Sequence, residues 1–110
     1  MQASNVPDLV RRCYAVFHAR DRQAMDDLLS DDFRFSSPDD PDLDKTGYFE
    51  RCWPNGDRHQ EFEIEKLFDR GDEAFVRYRI ERDTGESFRN TEYLKVRDGR
   101  IERVEVYYGI

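Results

Sequence analysis

Cysteine, histidine and positive charge are scarce in this chain of 110 residues, and each shortage removes a class of function. The two cysteines, Cys13 and Cys52, have no CxxC spacing and make neither a disulfide framework nor a zinc site. They read as reduced thiols of a cytoplasmic protein. Lysine and arginine number 18 against 25 aspartates and glutamates, a formal charge of −7. A nucleic-acid binder needs a basic stripe to displace counterions, and an anionic membrane surface repels this sign, so neither partner is expected. No apolar run approaches the roughly 20 residues that span a bilayer, and the opening MQASNVPDLV lacks a signal-peptide pattern. There is no phosphate-cradling glycine loop and no nucleophile elbow. His18 and His59 are isolated. Asp40, Asp42 and Asp44 open like a calcium loop, but Lys45 stands where that loop needs glycine and Arg51 where it needs a bidentate glutamate. No metal and no cofactor are expected. No linker or low-complexity stretch divides the chain, which reads as one domain over residues 1–110.

What is present is a strong pattern of elements. Pro7 and Asp8 suit a first helical turn, and Val10, Cys13, Tyr14 and Phe17 make one helical face running to about Arg20. Asp21 can cap a second helix whose apolar face is Ala24, Met25, Leu28 and Leu29. Phe33 and Phe35 alternate with Arg34 and Ser36 as a strand that Pro38 stops, and an acid-rich loop follows. Tyr48, Phe49, Cys52 and Trp53 repeat the helical spacing, and Trp53-Pro54-Asn55-Gly56 ends that third helix.

Gly71, Gly85 and Gly99 recur at intervals of fourteen residues, each closing a polar triplet. Read as three-residue hairpin loops with glycine in the left-handed position, they predict antiparallel strands near 60–68, 72–82, 86–96 and 100–109. Such loops pair Phe68 with Asp72 and keep all even-numbered side chains on one face. That face holds Phe62, Ile64, Phe68, Val76, Tyr78, Ile80, Phe88, Leu94, Val96, Val104, Val106 and Tyr108. The odd face holds Glu61, Glu63, Arg77, Arg79, Arg89, Lys95, Arg103 and Glu105.

Asn90 and Glu92 break the apolar pattern of the even face. The loop arithmetic places Tyr78 and Val106 beside Asn90, and Val76 and Val104 beside Glu92. A carboxyl group in such surroundings is hydrogen-bonded, neutral, or lining a hydrated cavity. Tyr78, Asn90 and Glu92 therefore form a candidate polar cluster in an apolar pocket; the plain alternative is that they only satisfy one another. On the odd face the same register sets Glu63 against Arg77, Glu61 against Arg79, Phe75 against Tyr93 and Arg89 against Tyr107.

Three short helices, an interposed strand and a long curled meander resemble the nuclear-transport-factor-2-like superfamily in its SnoaL-like branch. The marks are Asp21 and Ala24 opening helix two, Leu28-Leu29-Ser30-Asp31-Asp32 closing it, Phe33-Arg34-Phe35-Ser36-Ser37-Pro38 as the strand, and Asp98-Gly99-Arg100-Ile101 before the last strand. The resemblance implies an α+β fold, a cone-shaped α+β barrel with three N-terminal helices packed on a strongly curved, mostly antiparallel sheet. It puts Ser37 where similar steroid isomerases carry an aspartate base, so the opening strand brings a hydroxyl rather than a carboxylate. Their helix-one tyrosine falls at Cys13, next to Tyr14, and their second acidic donor falls at Glu92. The even-face arginines, Arg82 and Arg100, sit at strand ends, which fits poorly with an epoxide hydrolase.

The expected site therefore has Glu92 and Tyr78 as candidate catalytic residues. Ser37, Asn90, Tyr108, Trp53, Tyr14 and Phe35 are candidate ligand contacts, with core packing the plain alternative for Trp53. The reading that follows is a pocket for a small hydrophobic molecule, its reaction unknown. The alternatives are a cyclase, isomerase or dehydratase using Glu92 as acid–base, or an association module with a filled cavity. Because the superfamily commonly dimerises through its sheet, a homodimer through the odd-numbered face is expected.

Overall fold

The computed structural model describes residues 6–54 and 60–109. Its elements are α1 (Val6–Ala19), α2 (Arg22–Leu28), β1 (Leu29–Ser36), α3 (Lys45–Arg51), β2 (Gln60–Arg70), β3 (Glu73–Arg82), β4 (Ser87–Arg97) and β5 (Arg100–Tyr108). The five strands make one curved sheet in the order β1-β5-β4-β3-β2, with β1 parallel to β5 and the other pairs antiparallel. Helices pack on the inner face, giving the expected α+β cone. No helix among the described residues is long and apolar enough to cross a membrane.

The N-terminal half follows from its caps. Asp21 accepts from the Ala24 backbone N–H at 3.1 Å and opens α2. That helix stops at Leu28, because Leu29 already has an extended backbone. The expectation that Leu28 to Asp32 closes the helix is corrected: Leu29 is the first residue of β1 and faces Ile101 of β5. The acid-rich loop is a folded rim, not a loose tail. Phe35 and Leu43 exchange backbone bonds at 2.8 and 2.7 Å, and Ser37 and Asp40 do so at 3.1 and 3.2 Å. Asp44 caps α3 through the Gly47 N–H at 2.8 Å, and Asp40 holds Arg51 at 2.6 Å. Beyond α3, the proposed Asn55-Gly56 turn and His59 lie outside the described residues.

The meander keeps one apolar face, but by a different device from the predicted one. Only the middle loop has three residues, with Arg82 N–H bonded to Glu86 O and Gly85 at φ +91°. The first loop has two, so Arg70 pairs with Glu73 and Phe68 with Phe75 rather than with Asp72. Gly71 at φ +65° fills the first place of that loop, as a type II′ turn needs. The last loop is Asp98-Gly99, both at positive φ (54° and 77°), with Arg97 paired to Arg100. A two-residue loop flips the side-chain parity of its hairpin. Parity is restored by register shifts between Ile64 and Lys66 on β2 and at Glu102 on β5, where Val96 faces Ile101 and Lys95 faces Arg103.

Several expected pairings move as a result. Phe68 points outward and is 71 % exposed, while Ile101 is fully buried. Glu63 faces Arg79, Glu61 faces Glu81, and Tyr107 faces Thr91 rather than Arg89. Val106, not Val104, lies beside Glu92, and Tyr108 takes the expected place of Val106 beside Asn90. The core runs between helices and sheet around Val10, Met25, Leu29, Phe33, Val76, Leu94 and Ile101.

Candidate functional site

Between the helices and the concave face lies a cavity of about 600 Å³. Its walls are Phe17 and Tyr14 of α1, Met25 of α2, Phe33 and Phe35 of β1, Tyr48 of α3, and Phe62, Ile80, Phe88, Val104 and Val106 of the sheet. The exposed lining residues Asp39, Glu86, Ser87 and Tyr108 mark its mouth. There Tyr108 donates to Asp39 at 3.0 Å, tying the end of β5 to the acidic loop.

At the inner end two adjacent rows of the sheet carry the polar groups. Asn90 lies between Tyr78 of β3 and Tyr108 of β5; Glu92 lies between Val76 and Val106. The Tyr78 hydroxyl donates to Glu92 Oε2 at 2.6 Å, and the Tyr14 hydroxyl, arriving from α1, donates to Glu92 Oε1 at 2.7 Å. Asn90 Nδ2 approaches the Tyr78 oxygen at 3.4 Å, and Gly109 N–H donates to Asn90 Oδ1 at 3.3 Å. These bonds run in one direction, toward Glu92. Each carboxylate oxygen takes one hydroxyl and keeps capacity for another donor from the cavity.

Burial pushes the Glu92 carboxyl above its ordinary value, and the two tyrosine bonds pull the other way. The same burial, reinforced by the neighbouring Glu92 charge, raises the Tyr14 and Tyr78 hydroxyls well above the ordinary phenol. Cys13 and Cys52 also line the cavity. Burial lifts both thiols to about 12, helped by Glu92 for Cys13 and by Asp40 for Cys52. They stay protonated at neutral pH and are poor nucleophiles. What the arrangement can do chemically is accept or give one proton at Glu92, or hold a polar atom there by hydrogen bonds.

The structure brings together Tyr14, Tyr78, Asn90 and Glu92, and places Phe35, Ser37 and Tyr108 on the same cavity lining. Ser37 belongs to the mouth, where its oxygen accepts from the Asp40 N–H at 3.1 Å. Trp53 does not line the cavity. It packs on Phe17 and Phe49, and the Arg20 guanidinium lies 4.1 Å over its ring. The direct bond from Tyr14 to Glu92 was not foreseen, because a helix face gives no hint of which strand it meets. Among the described residues no group of three His, Cys, Asp or Glu side chains is placed to hold a metal ion; Asp40 and Asp44 serve as loop anchor and helix cap.

Comparison with known proteins bears on this geometry. The family model for the SnoaL-like domain matches residues 10–104. The chain belongs to the SnoaL-like domain family. No curated protein matches this SnoaL-like chain in sequence. Among solved structures, an NTF2-like protein of unknown function from Mesorhizobium loti superposes with a TM-score of 0.80 at 24% identity, over 94% of this chain and 89% of that one. TerC, co-crystallised with polyporic acid, gives 0.80 at 18% identity, over 96% and 92%. A de novo designed protein with a curved β-sheet gives 0.82 at 16% identity, over 98% and 88%. At these identities the likeness is one of fold.

Proposed function

We propose that this SnoaL-like domain binds a small hydrophobic molecule in its cavity, with Glu92 meeting the polar end of that molecule. One observation carries the reading: an open-mouthed cavity of about 600 Å³, walled by aromatic and aliphatic side chains, holds a carboxyl group fixed by two tyrosines. Ligand sites are commonly of this size, mostly apolar with a few placed polar groups. An association module with a filled interior would leave no such space. The crystallisation of TerC with a small molecule supports the same use of the fold. Ser37, Phe35, Tyr14 and Tyr108 contribute to the wall and mouth; Trp53 stays in the core.

A test is thermal shift against a panel of apolar ketones, alcohols and amines, repeated on Val106→Trp, which adds a large ring beside Glu92. Stabilisation of the parent protein that the tryptophan abolishes is the expected result. A panel without effect on the parent protein removes the reading.

Glu92 also carries a second reading, as the acid–base of a cyclase, isomerase or dehydratase oriented by Tyr78 and Asn90. The observation that favours it is a carboxyl held by two tyrosine hydroxyls in an apolar cavity, where burial raises it above its ordinary value. For any substrate found, Glu92→Gln would then lower kcat by about 100-fold or more. Full turnover by that variant excludes the role.

A further inference from the structure

The charges on the cavity lining are almost all of one sign. Glu92 stands at the inner end, and Asp39, Asp40 and Glu86 stand toward the mouth. Among the described lining residues the only Lys or Arg is Arg82. Its Nη1 donates to Glu86 at 2.9 Å and its guanidinium lies 4.8 Å over Phe88, while its Nε is buried without a hydrogen-bond partner. Asp40 is held by Arg51. Asp39 and Glu92 are different, since the partners shown for them are the hydroxyls of Tyr108, Tyr14 and Tyr78. A phenol hydroxyl satisfies a lone pair but supplies no positive charge.

The walls reinforce that sign. Tyr14 and Tyr78 stand 5.3 Å apart at a tilt, Phe62 lies 6.0 Å from Tyr78, and Phe17 lies 6.0 Å from Phe62. Ring faces are the negative part of an aromatic quadrupole and attract organic cations, the more so when water is excluded. Arg20 and Arg22 already use rings of this protein in that way, on Trp53 and Phe49. Arg20 also lies 5.1 Å over Phe17, but among the described residues no arginine or lysine lies over Tyr14, Tyr78 or Phe62. Glu92 keeps acceptor capacity for an N–H donor.

Building on the reading that the cavity takes a small hydrophobic molecule, we propose that its preferred guest is a hydrophobic amine bound as the ammonium. The nitrogen sits against Glu92 and the hydrocarbon lies along the rings of Tyr14, Tyr78, Phe17 and Phe62. A neutral molecule of the same shape gains the apolar contact and loses the charge pair. An anion meets Glu92 and Asp39, and the charge of Arg82, the one cation among the described lining residues, is paired with Glu86.

Three probes with one ring system separate these cases: 2-naphthylmethylammonium, 2-naphthylmethanol and 2-naphthoate, titrated into the protein by calorimetry at pH 7. The ammonium is expected to bind at least about tenfold more tightly than the alcohol, and naphthoate to bind weakest. In Glu92→Gln the ratio of ammonium to alcohol affinity falls to about one, thermal melting showing that the variant is folded. Equal or tighter binding of the alcohol overturns the amine preference and leaves the pocket reading standing. Tighter binding of naphthoate overturns it in favour of Arg82. Persistence of the preference in Glu92→Gln overturns the assignment of the nitrogen to Glu92. If none of the three binds, the pocket reading fails, and this inference with it.

Discussion

Glu92 is held between two opposing influences: burial favours its neutral form, and the Tyr14 and Tyr78 hydroxyls favour its charged form. Burial prevails, so the folded protein keeps this proton to higher pH than the unfolded chain does. The titratable groups facing it are Cys13 and Tyr14 of α1, Tyr48 of α3 and Tyr78 of β3. All of these are pushed upward and stay protonated at neutral pH, so none of them adds a charge beside Glu92 there. Between the ordinary carboxyl value of 4.5 and the raised one, the native state binds more protons than the unfolded state. Stability due to Glu92 is therefore whole below that window and is lost as pH rises through it. Glu92→Gln removes the penalty while keeping the shape. It is expected to be more stable than the parent by about 0.5–2 kcal/mol at pH 8, the difference shrinking toward pH 4.5. Urea midpoints across pH measure this, and a variant less stable at pH 8 refutes the balance of forces. Asn90 and Glu92 were legible in the sequence because polar residues interrupt an apolar face. The role of Tyr14 was only half legible, since its partner depends on how α1 lies across the sheet.

At the scale of elements, strands, turns and caps follow from local chemistry, and register does not. Asp21, Gly71, Gly85 and Gly99 each announce a cap or a bend, and each is found at one. Yet an Asp-Arg-Gly or Arg-Asp-Gly triplet does not say whether its loop has two residues or three. The even-face pattern survived because bulges offset the two-residue loops, a compensation that leaves the apolar spacing of most of each strand unchanged. Its visible cost is local: Phe68 turns outward and Ile101 inward. Glu65 is the extra residue of the β2 bulge, and its carboxylate reaches across two strands to Arg89 at 2.6 Å and Arg77 at 3.2 Å. Those bonds hold the carboxyl of Glu65 below the usual range, Arg89 foremost. Deleting Glu65 makes Ile64, opposite Tyr78, the neighbour of Lys66, opposite Arg77, so the ladder becomes regular and Phe62 and Ile64 keep their face, whereas Glu65→Ala keeps the bulge and removes only the exposed ion pairs. The deletion is expected to keep a cooperative thermal transition, and the alanine to cost less than about 1 kcal/mol. A deletion variant that no longer melts cooperatively shows that the extra residue is needed to hold the register.

For the whole molecule, the same two-residue loop that exposes Phe68 completes a row across the outer face of the sheet. Phe68 faces Phe75, Phe75 faces Tyr93 and Tyr93 faces Glu105, running from β2 to β5. Phe68, Phe75 and Tyr107 are 71%, 52% and 53% exposed, unusual for aromatic side chains this close together. Around them the face mixes Arg77, Arg79, Arg89 and Arg103 with Glu63, Glu65, Glu73 and Glu105. A two-fold interface needs a self-complementary patch, and interspersed signs around an aromatic row meet that requirement. The occupant we predict is a second copy of this chain, and the register correction strengthens the case, because Phe68 joins a patch that the sequence pattern had assigned to the interior. Two chains of charge −7 repel at long range, so the association should tighten as salt screens that repulsion. Sedimentation at micromolar concentration is expected to show a dimer whose affinity rises from 0.05 to 0.5 M salt, and Phe75→Glu is expected to give a folded monomer. The substitution faces solvent in the isolated chain, so lost folding is not its expected effect. A monomeric parent protein, or a dimer indifferent to Phe75→Glu, removes the sheet face from consideration and leaves the aromatic row without a partner of this kind.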